Sequence, residues 1–145
     1  MHILIEKGKR LLTFTDGDRR LTFPIALGPC PVGRKERQGD RKTPEGRYHV
    51  CLKKMGKYGP SLGVSYPNTD DAQLFGADDH LLSLIRTAEA TLSRPPWGSP
   101  MGGEIYIHGG GTESDWTAGC IALTDADAQT LYDLCAPGTP IDIIP

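Results

Sequence analysis

Two side chains in the last third of the sequence are of types that carry out nucleophilic chemistry. His108 and Cys120 lie within the stretch EIYIHGGGTESDWTAGCIAL, residues 104–123. A cysteine attacks as its thiolate, and a paired histidine is the usual group that takes the thiol proton. His108 ends a strand-like run that would hold its ring, and the loop after it is long enough to double back. The pair therefore predicts a cysteine nucleophile with a histidine base.

Glycines flank both residues, although glycine contributes little to a packed core. Gly109 opens a run of three glycines, which adopt conformations closed to other residues and let a substrate approach the backbone. Gly119 precedes the cysteine and leaves backbone N–H groups accessible, as an oxyanion hole requires. Thr117 is placed to form a local hydrogen bond that fixes this loop.

Blander interpretations of these residues stand beside the catalytic one. A single histidine at a strand end is usually a structural hydrogen-bonding group, and a single cysteine before an isoleucine is usually a small core residue. A zinc site could use His108, Cys120 and Asp115, but catalytic zinc needs three protein ligands and no HExxH spacing is present. Neither bland interpretation explains the glycines on both sides, which favour catalysis. The other cysteines form no CxxC pair and are predicted to be ordinary: Cys30, Cys51 and Cys135.

Length, charge and hydropathy narrow the class of protein. The 145 residues predict one domain over 1–145. Residues 95–145 contain no Lys or Arg and carry a net charge of −7. Because the whole chain carries −2, residues 1–94 carry +5, which is too little for the basic stripe of a nucleic-acid-binding domain. No apolar run approaches the ~20 residues that span a bilayer. The N-terminus, MHILIEKGKR, acquires charge too early for a secretory signal, so none is predicted in this chain.

Short strands dominate the predicted secondary structure. Alternating apolar residues predict a meander of strands over 2–7, 10–15 and 19–28, and later strands over 48–52, 63–66, 105–108 and 139–144. A turn of type II is predicted over 43–46. Helical spacing predicts helices over 77–93 and from an N-cap at Thr124 to about Cys135. Because strands and helices do not alternate regularly, the pattern predicts a mainly β fold and not a doubly wound parallel sheet.

The motifs around His108 and Cys120 resemble those of a known family. IYIHG followed by TAGCIAL is similar to the signature of the L,D-transpeptidase catalytic domain, the YkuD family, in which His-Gly is followed by Ser/Thr-x-Gly-Cys. Three further stretches match in the family order: GDRKTPEGRYHV, SYPN and GGEIYIHG. The resemblance covers nearly the whole chain and implies a YkuD-like β-sandwich or barrel with short helices.

The resemblance implies a role for each matching residue. Cys120 matches the nucleophile, and His108 matches the general base, which the carbonyl of the next residue, here Gly109, orients. The N–H groups of Gly119 and Cys120 match the oxyanion hole, and Thr117 matches the Ser/Thr of the motif. The implied substrates are peptidoglycan stem peptides, the implied location is the cell envelope, and the implied mechanism needs no metal or organic cofactor. The candidate substrate-binding residues are the cations around the predicted turn and one tyrosine: Arg41, Lys42, Arg47 and Tyr66.

Two residues depart from the family pattern, which bears on whether an amine or water accepts the acyl group. Ala118 and Ala122 stand where the family often has His and Arg, and DWTAGCIAL resembles the YafK-like subgroup, some members of which hydrolyse bonds. The sequence therefore predicts an L,D-transpeptidase, which transfers the acyl group of the third stem residue to an amine after loss of D-Ala. The alternatives are an L,D-carboxypeptidase or endopeptidase of the same fold and a catalytically silent wall-binding module. A sortase-type enzyme is disfavoured because no Arg follows position 94.

Overall fold

The computed structural model describes residues 1–145 as one mixed sheet of eight strands with three helices. The strands are β1 (His2–Glu6), β2 (Leu11–Asp16), β3 (Arg19–Pro24), β4 (Gly46–Gly56), β5 (Gly59–Val64), β6 (Tyr106–His108), β7 (Ile121–Ala122) and β8 (Pro140–Ile144). The helices are α1 (Thr69–Leu74), α2 (Asp79–Thr91) and α3 (Asp125–Leu134). None of these helices combines the length and the apolar character needed to cross a bilayer.

The sheet curls so that its two ends meet. Its strand order is β3-β2-β1-β8-β4-β5-β6-β7, with parallel pairing only between β1 and β8 and between β6 and β7. The chain leaving β3 then reaches the far edge, where Ala26 and Ala122 exchange two backbone hydrogen bonds of 2.9 Å. The observed architecture confirms the predicted mainly β fold with short inserted helices.

The core fills the inside of the curled sheet, and strand alternation decides which side chains reach it. In β1 and β2 the fully buried residues are spaced two apart, Ile3 with Ile5 and Leu12 with Phe14. Ile107 of β6 and Ile121 of β7 pair side by side and are also buried in this core. Because successive strand residues point to opposite faces, His108 and Cys120 belong to the other face of the sheet.

Several boundaries differ from those expected for physical reasons. The third strand ends at Pro24 instead of Gly28, because proline has no N–H for the ladder, and the chain then crosses to the far edge. No turn forms over 43–46; residues 41–45 carry no regular structure, and Gly46 opens β4 with φ 142°. Helix α1 is not predicted, because its six residues are too few to show a helical periodicity. A capping box between Asn68 and Asp71 stabilises its first turn.

One charged side chain fastens the loop between β6 and β7 to the start of the chain. Asp115 accepts hydrogen bonds from Arg10 Nε and Nη2, at 3.2 and 2.8 Å, and from the N–H of Leu27 at 2.9 Å. Thr117 N–H adds a bond of 3.0 Å to the carbonyl of Leu27. The loop that carries the predicted nucleophile is therefore tied to the segment that closes the sheet.

The Asp115 contacts predict a stability change that depends on pH. The hydrogen bonds from Arg10 hold the pKa of Asp115 below its usual range. The stability that Asp115 contributes is therefore complete above its pKa in the unfolded chain, about 4, and is lost as the pH falls through its lower pKa in the folded protein. Since both side chains are about one-third exposed, Asp115→Asn should cost about 1 kcal/mol in urea unfolding at pH 7. The difference from the parent should shrink below about pH 4; an equal difference at pH 7 and pH 3 would contradict this assignment.

Candidate active site

The short parallel pair of β6 and β7 places the two predicted catalytic residues on one face. His108 lies opposite Ala122, and Ile107 lies opposite Ile121. Cys120 directly precedes β7 and therefore aligns with Tyr106, two residues before His108 on the neighbouring strand. Partners in a parallel ladder share a face, so the imidazole and the thiol project from the same side of the sheet.

The His108 imidazole is held in one tautomer and one orientation. Its Nδ1 lies 2.6 Å from the carbonyl oxygen of Gly109, and because a carbonyl only accepts, Nδ1 carries the proton. The ring stacks on Tyr58 at 4.7 Å between centroids and also touches the ring of Trp116. Burial under these aromatic rings lowers the pKa of His108. The Nε2 lone pair of a neutral imidazole is thus left free to accept a proton.

The glycine run after His108 is required by the same aromatic packing. Gly110 has φ 109°, and a Cβ there would lie 2.6 Å from the Trp116 ring. Trp116 in turn donates its indole N–H to the carbonyl of Gly111 at 2.9 Å. The backbone therefore passes close to the tryptophan that covers the histidine, which only residues without a side chain allow.

Cys120 is a neutral thiol in this arrangement. Its Sγ accepts the N–H of Tyr106 at 3.4 Å, and the S–H donates to the carbonyl of Glu104 at 3.6 Å. Burial raises the pKa of the thiol, while the Tyr106 N–H and the charge of Lys35 act in the opposite direction. No hydrogen bond joins the thiol to His108, so the resting pair is an uncharged thiol beside an uncharged imidazole.

Three hydrogen bonds fix the turn before Cys120. Thr117 Oγ1 accepts the N–H of Gly119 at 3.2 Å and donates to the carbonyl of Cys120 at 2.8 Å. Buried Thr43 donates to the carbonyl of Gly119 at 2.7 Å. Gly119 has φ 126°, and a Cβ there would lie 2.7 Å from the carbonyl of Lys42. The N–H of Gly119 is thereby occupied, whereas the N–H of Cys120 has no partner in the protein.

The thiol opens into a cavity of about 400 Å³. Two of its lining residues, Arg41 and Glu104, have positive φ angles of 58° and 54° without being glycine. Such backbone conformations cost energy and concentrate at functional sites. The other lining residues come from the 29–42 loop and from either side of β6: Lys35, Gln38, Gly39, Gly103, Ile105 and Ala118.

Only one of the four predicted substrate-binding side chains reaches this cavity. Arg41 lines it and forms no ion pair. Lys42 contributes its backbone, packed on Gly119, to the turn. Arg47 is exposed, lies 3.3 Å from Asp142, and lines a separate cavity of about 350 Å³ that contains neither His108 nor Cys120. Tyr66 is fully buried and donates its hydroxyl to the carbonyl of Met101 at 2.8 Å.

Sequence reasoning missed the aromatic cover of the histidine and the buried cation of the cavity. Tyr58 sits in the turn between β4 and β5, far from His108 in sequence, so no local pattern connects them. Lys35 is buried and bonded to Asp40 at 2.8 Å, in a loop that shows no periodic pattern in the sequence. The postulated third zinc ligand, Asp115, is bound to Arg10, and no group of three His, Cys, Asp or Glu side chains is arranged to hold a metal.

Comparison with known proteins identifies a family for this arrangement. The family model of the L,D-transpeptidase catalytic domain, YkuD, matches residues 1–143. A search of curated proteins finds no match.

Solved structures share the fold at low sequence identity. The helical cell shape determining protein Pgp2 from Campylobacter jejuni has 23% identity and a TM-score of 0.67, covering 97% of this chain and 46% of its own. An L,D-transpeptidase from Mycobacterium smegmatis has 15% identity and a TM-score of 0.57, covering 99% of this chain and 58% of its own. The chain thus spans about half the length of these similar structures, and at these identities they show the fold alone.

The uncharged pair predicts how the thiol responds to pH. Because burial raises the pKa of Cys120, its alkylation by iodoacetamide should keep rising above about pH 8.5, the ordinary thiol value. Peptide mass spectrometry after timed labelling would follow Cys120 separately from exposed Cys30. A rate plateau below pH 7 would instead reveal a thiolate–imidazolium pair and contradict the neutral ground state.

Proposed function

The chain belongs to the YkuD family of L,D-transpeptidase catalytic domains, and on that basis we propose that it transfers acyl groups between peptidoglycan stem peptides through a thioester on Cys120. The observation that carries the proposal is the shared face of His108 and Cys120, with Nε2 free beside the nucleophile's strand. The unpartnered N–H of Cys120 supplies a donor for a developing oxyanion. The site of action would be the cell envelope, where such stems occur.

In the first half-reaction the thiol attacks the carbonyl carbon of the third stem residue, expected to be diaminopimelate. His108 Nε2 takes the thiol proton as the C–S bond forms, and the N–H of Cys120 stabilises the oxyanion. The C–N bond to the terminal D-Ala then breaks, and its nitrogen leaves with the proton from His108. Starting from a neutral thiol, the base must act during attack, which the free Nε2 allows.

In the second half-reaction an amine of another stem attacks the thioester carbonyl. A C–N bond forms, the C–S bond breaks, and the proton lost by the amine passes through His108 to the sulfur. One peptide bond is thereby exchanged for another. The likeness of the fold to Pgp2, a cell shape determining protein, is consistent with a role of the product cross-links in cell shape.

Water could resolve the same thioester, which would make the protein an L,D-carboxypeptidase. The resemblance of DWTAGCIAL to the YafK-like subgroup, some members of which hydrolyse bonds, supports this alternative. Separation of the muropeptide products formed from a stem tetrapeptide distinguishes the two reactions. Cross-linked dimer indicates transfer, and tripeptide alone indicates hydrolysis.

The nucleophile assignment predicts a single labelled residue. Incubation with a stem tetrapeptide should give an intact mass equal to the protein plus the peptide minus D-Ala. Cys120→Ala should abolish this adduct, whereas Cys30→Ala, Cys51→Ala and Cys135→Ala should retain it. His108→Ala should slow its formation by roughly 10²–10⁴-fold, the usual contribution of a positioned base. An adduct on Cys120→Ala protein, or a change of only a few-fold in the His108 variant, would overturn these roles.

The cavity predicts which cation meets the carboxylates of the donor stem. Arg41 lines the cavity and is unpaired, while Lys35 is already bonded to Asp40. Arg41→Gln should therefore lower kcat/KM for adduct formation by about 10-fold, the value of one charge-assisted contact, and weaken its dependence on salt. Arg47→Gln is the matched control, because this arginine lies at the other cavity. Equal rates in the two variants would show that Arg41 does not bind the donor.

A further inference from the structure

A second surface adjoins the cavity that contains Cys120. Four residues build it, Lys54, Arg94, Trp97 and Tyr106, and they are called here the cation–aromatic surface. The Arg94 guanidinium lies 5.1 Å from the Trp97 ring, the Trp97 and Tyr106 rings meet edge to face at 5.5 Å, and Lys54 Nζ lies 5.0 Å from the Tyr106 ring. These contacts form one continuous chain.

This chain of contacts ends at the nucleophile itself. The backbone N–H of Tyr106 bonds to the sulfur of Cys120 at 3.4 Å. Trp97 packs on Gly103, where no Cβ would fit, and Gly103 also lines the Cys120 cavity. The cation–aromatic surface and the cavity are therefore neighbours that share the 103–106 segment, which contacts both Trp97 and Cys120.

The charges of this surface are not neutralised within the protein. Lys54 and Arg94 are both exposed, and neither belongs to any ion pair. The indole N–H of Trp97 is buried without a hydrogen-bond partner. A surface with two exposed cations that belong to no ion pair is complementary to an anion that accepts hydrogen bonds.

The arrangement favours a carboxylate over a stacked sugar. A sugar ring binds an open aromatic face, but Arg94 covers the Trp97 ring and Lys54 covers the Tyr106 ring. A ligand approaching from solvent therefore meets ammonium and guanidinium groups first. A peptide that carries carboxylates would bind these groups and lay its apolar atoms along the exposed ring edges.

We propose that Lys54, Arg94, Trp97 and Tyr106 form the subsite for the carboxylates of the second stem peptide, whose amine resolves the thioester on Cys120. This inference rests on the proposed acyl transfer and adds to it the place of the acceptor. The donor then occupies the cavity side and the acceptor the cation–aromatic side. The amine attacks the carbonyl carbon, the C–N bond forms as the C–S bond breaks, and the amine proton returns through His108 to the sulfur.

Binding can be tested without any chemistry in the Cys120→Ala protein. The chain has two tryptophans, so each gives a single indole N–H signal in a ¹H–¹⁵N spectrum. Addition of a stem tetrapeptide should shift the signal of Trp97, and the same peptide with its carboxylates amidated should shift it at least 10-fold more weakly by titration. Trp116, whose N–H is bonded to Gly111, is the internal reference. Equal titrations of both peptides would overturn the subsite.

Variants then separate this surface from the cavity. In the Cys120→Ala background, Lys54→Gln with Arg94→Gln should raise the apparent Kd at Trp97 by 10-fold or more, and Lys54→Arg should retain it. Arg86→Gln is the matched control, since Arg86 is exposed on α2 and unpaired. An unchanged Kd in the Lys54 and Arg94 double variant would place the peptide elsewhere.

Kinetics in protein with Cys120 intact distinguish failure of the subsite from failure of the proposed function. In the double variant, donor adduct formation and its hydrolysis by water should stay within two-fold, while KM for the acceptor should rise about 10-fold. If the adduct forms but acceptor use is unchanged, the subsite is wrong and the acyl transfer stands. If no adduct forms although the Trp97 titration depends on Lys54 and Arg94, the carboxylate site stands and the acyl transfer is wrong.

Discussion

The pairing of β6 with β7 is the constraint on which the rest of the site depends. It is only two residue pairs long, yet it fixes the spacing of His108 and Cys120 along one face. So short a ladder is stable only because its neighbours hold it. Ala26 pairs with Ala122 on the outer side, and Asp115 ties the intervening loop to Arg10. The geometry of the nucleophile is thus set by the closure of the whole sheet.

Burial determines the protonation states within that geometry. The same aromatic packing that orients His108 removes it from water, which lowers the pKa of the imidazole. Burial raises the pKa of the Cys120 thiol, which likewise favours its neutral form. Burial therefore favours the uncharged form of both groups. This arrangement spares the protein the cost of a buried ion pair at rest.

Folding brings basic residues from the first part of the sequence to the predicted site in the acidic last part. All Lys and Arg residues lie within residues 1–94, whereas the predicted nucleophile and base lie in the acidic remainder. The 29–42 loop brings Lys35 and Arg41 to the cavity of Cys120, and β4 with the segment after α2 brings Lys54 and Arg94 to the neighbouring cation–aromatic surface. This distribution of cations suits the proposed substrates, which carry several carboxylates.

The sequence alone determined the β-rich class and the N-cap at Thr124, because alternation and capping are local properties. It also singled out His108 and Cys120, whose strands the structure pairs. It also indicated that any cation at the site must come from residues 1–94. The tertiary structure decided which cations these are: Arg41 lies at the thiol, while Arg47 and Tyr66, equally plausible in sequence, lie elsewhere. Tyr58 over His108 was likewise invisible in the sequence. Contacts of this kind join segments far apart in the chain, and only the closure of the curled sheet brings them together.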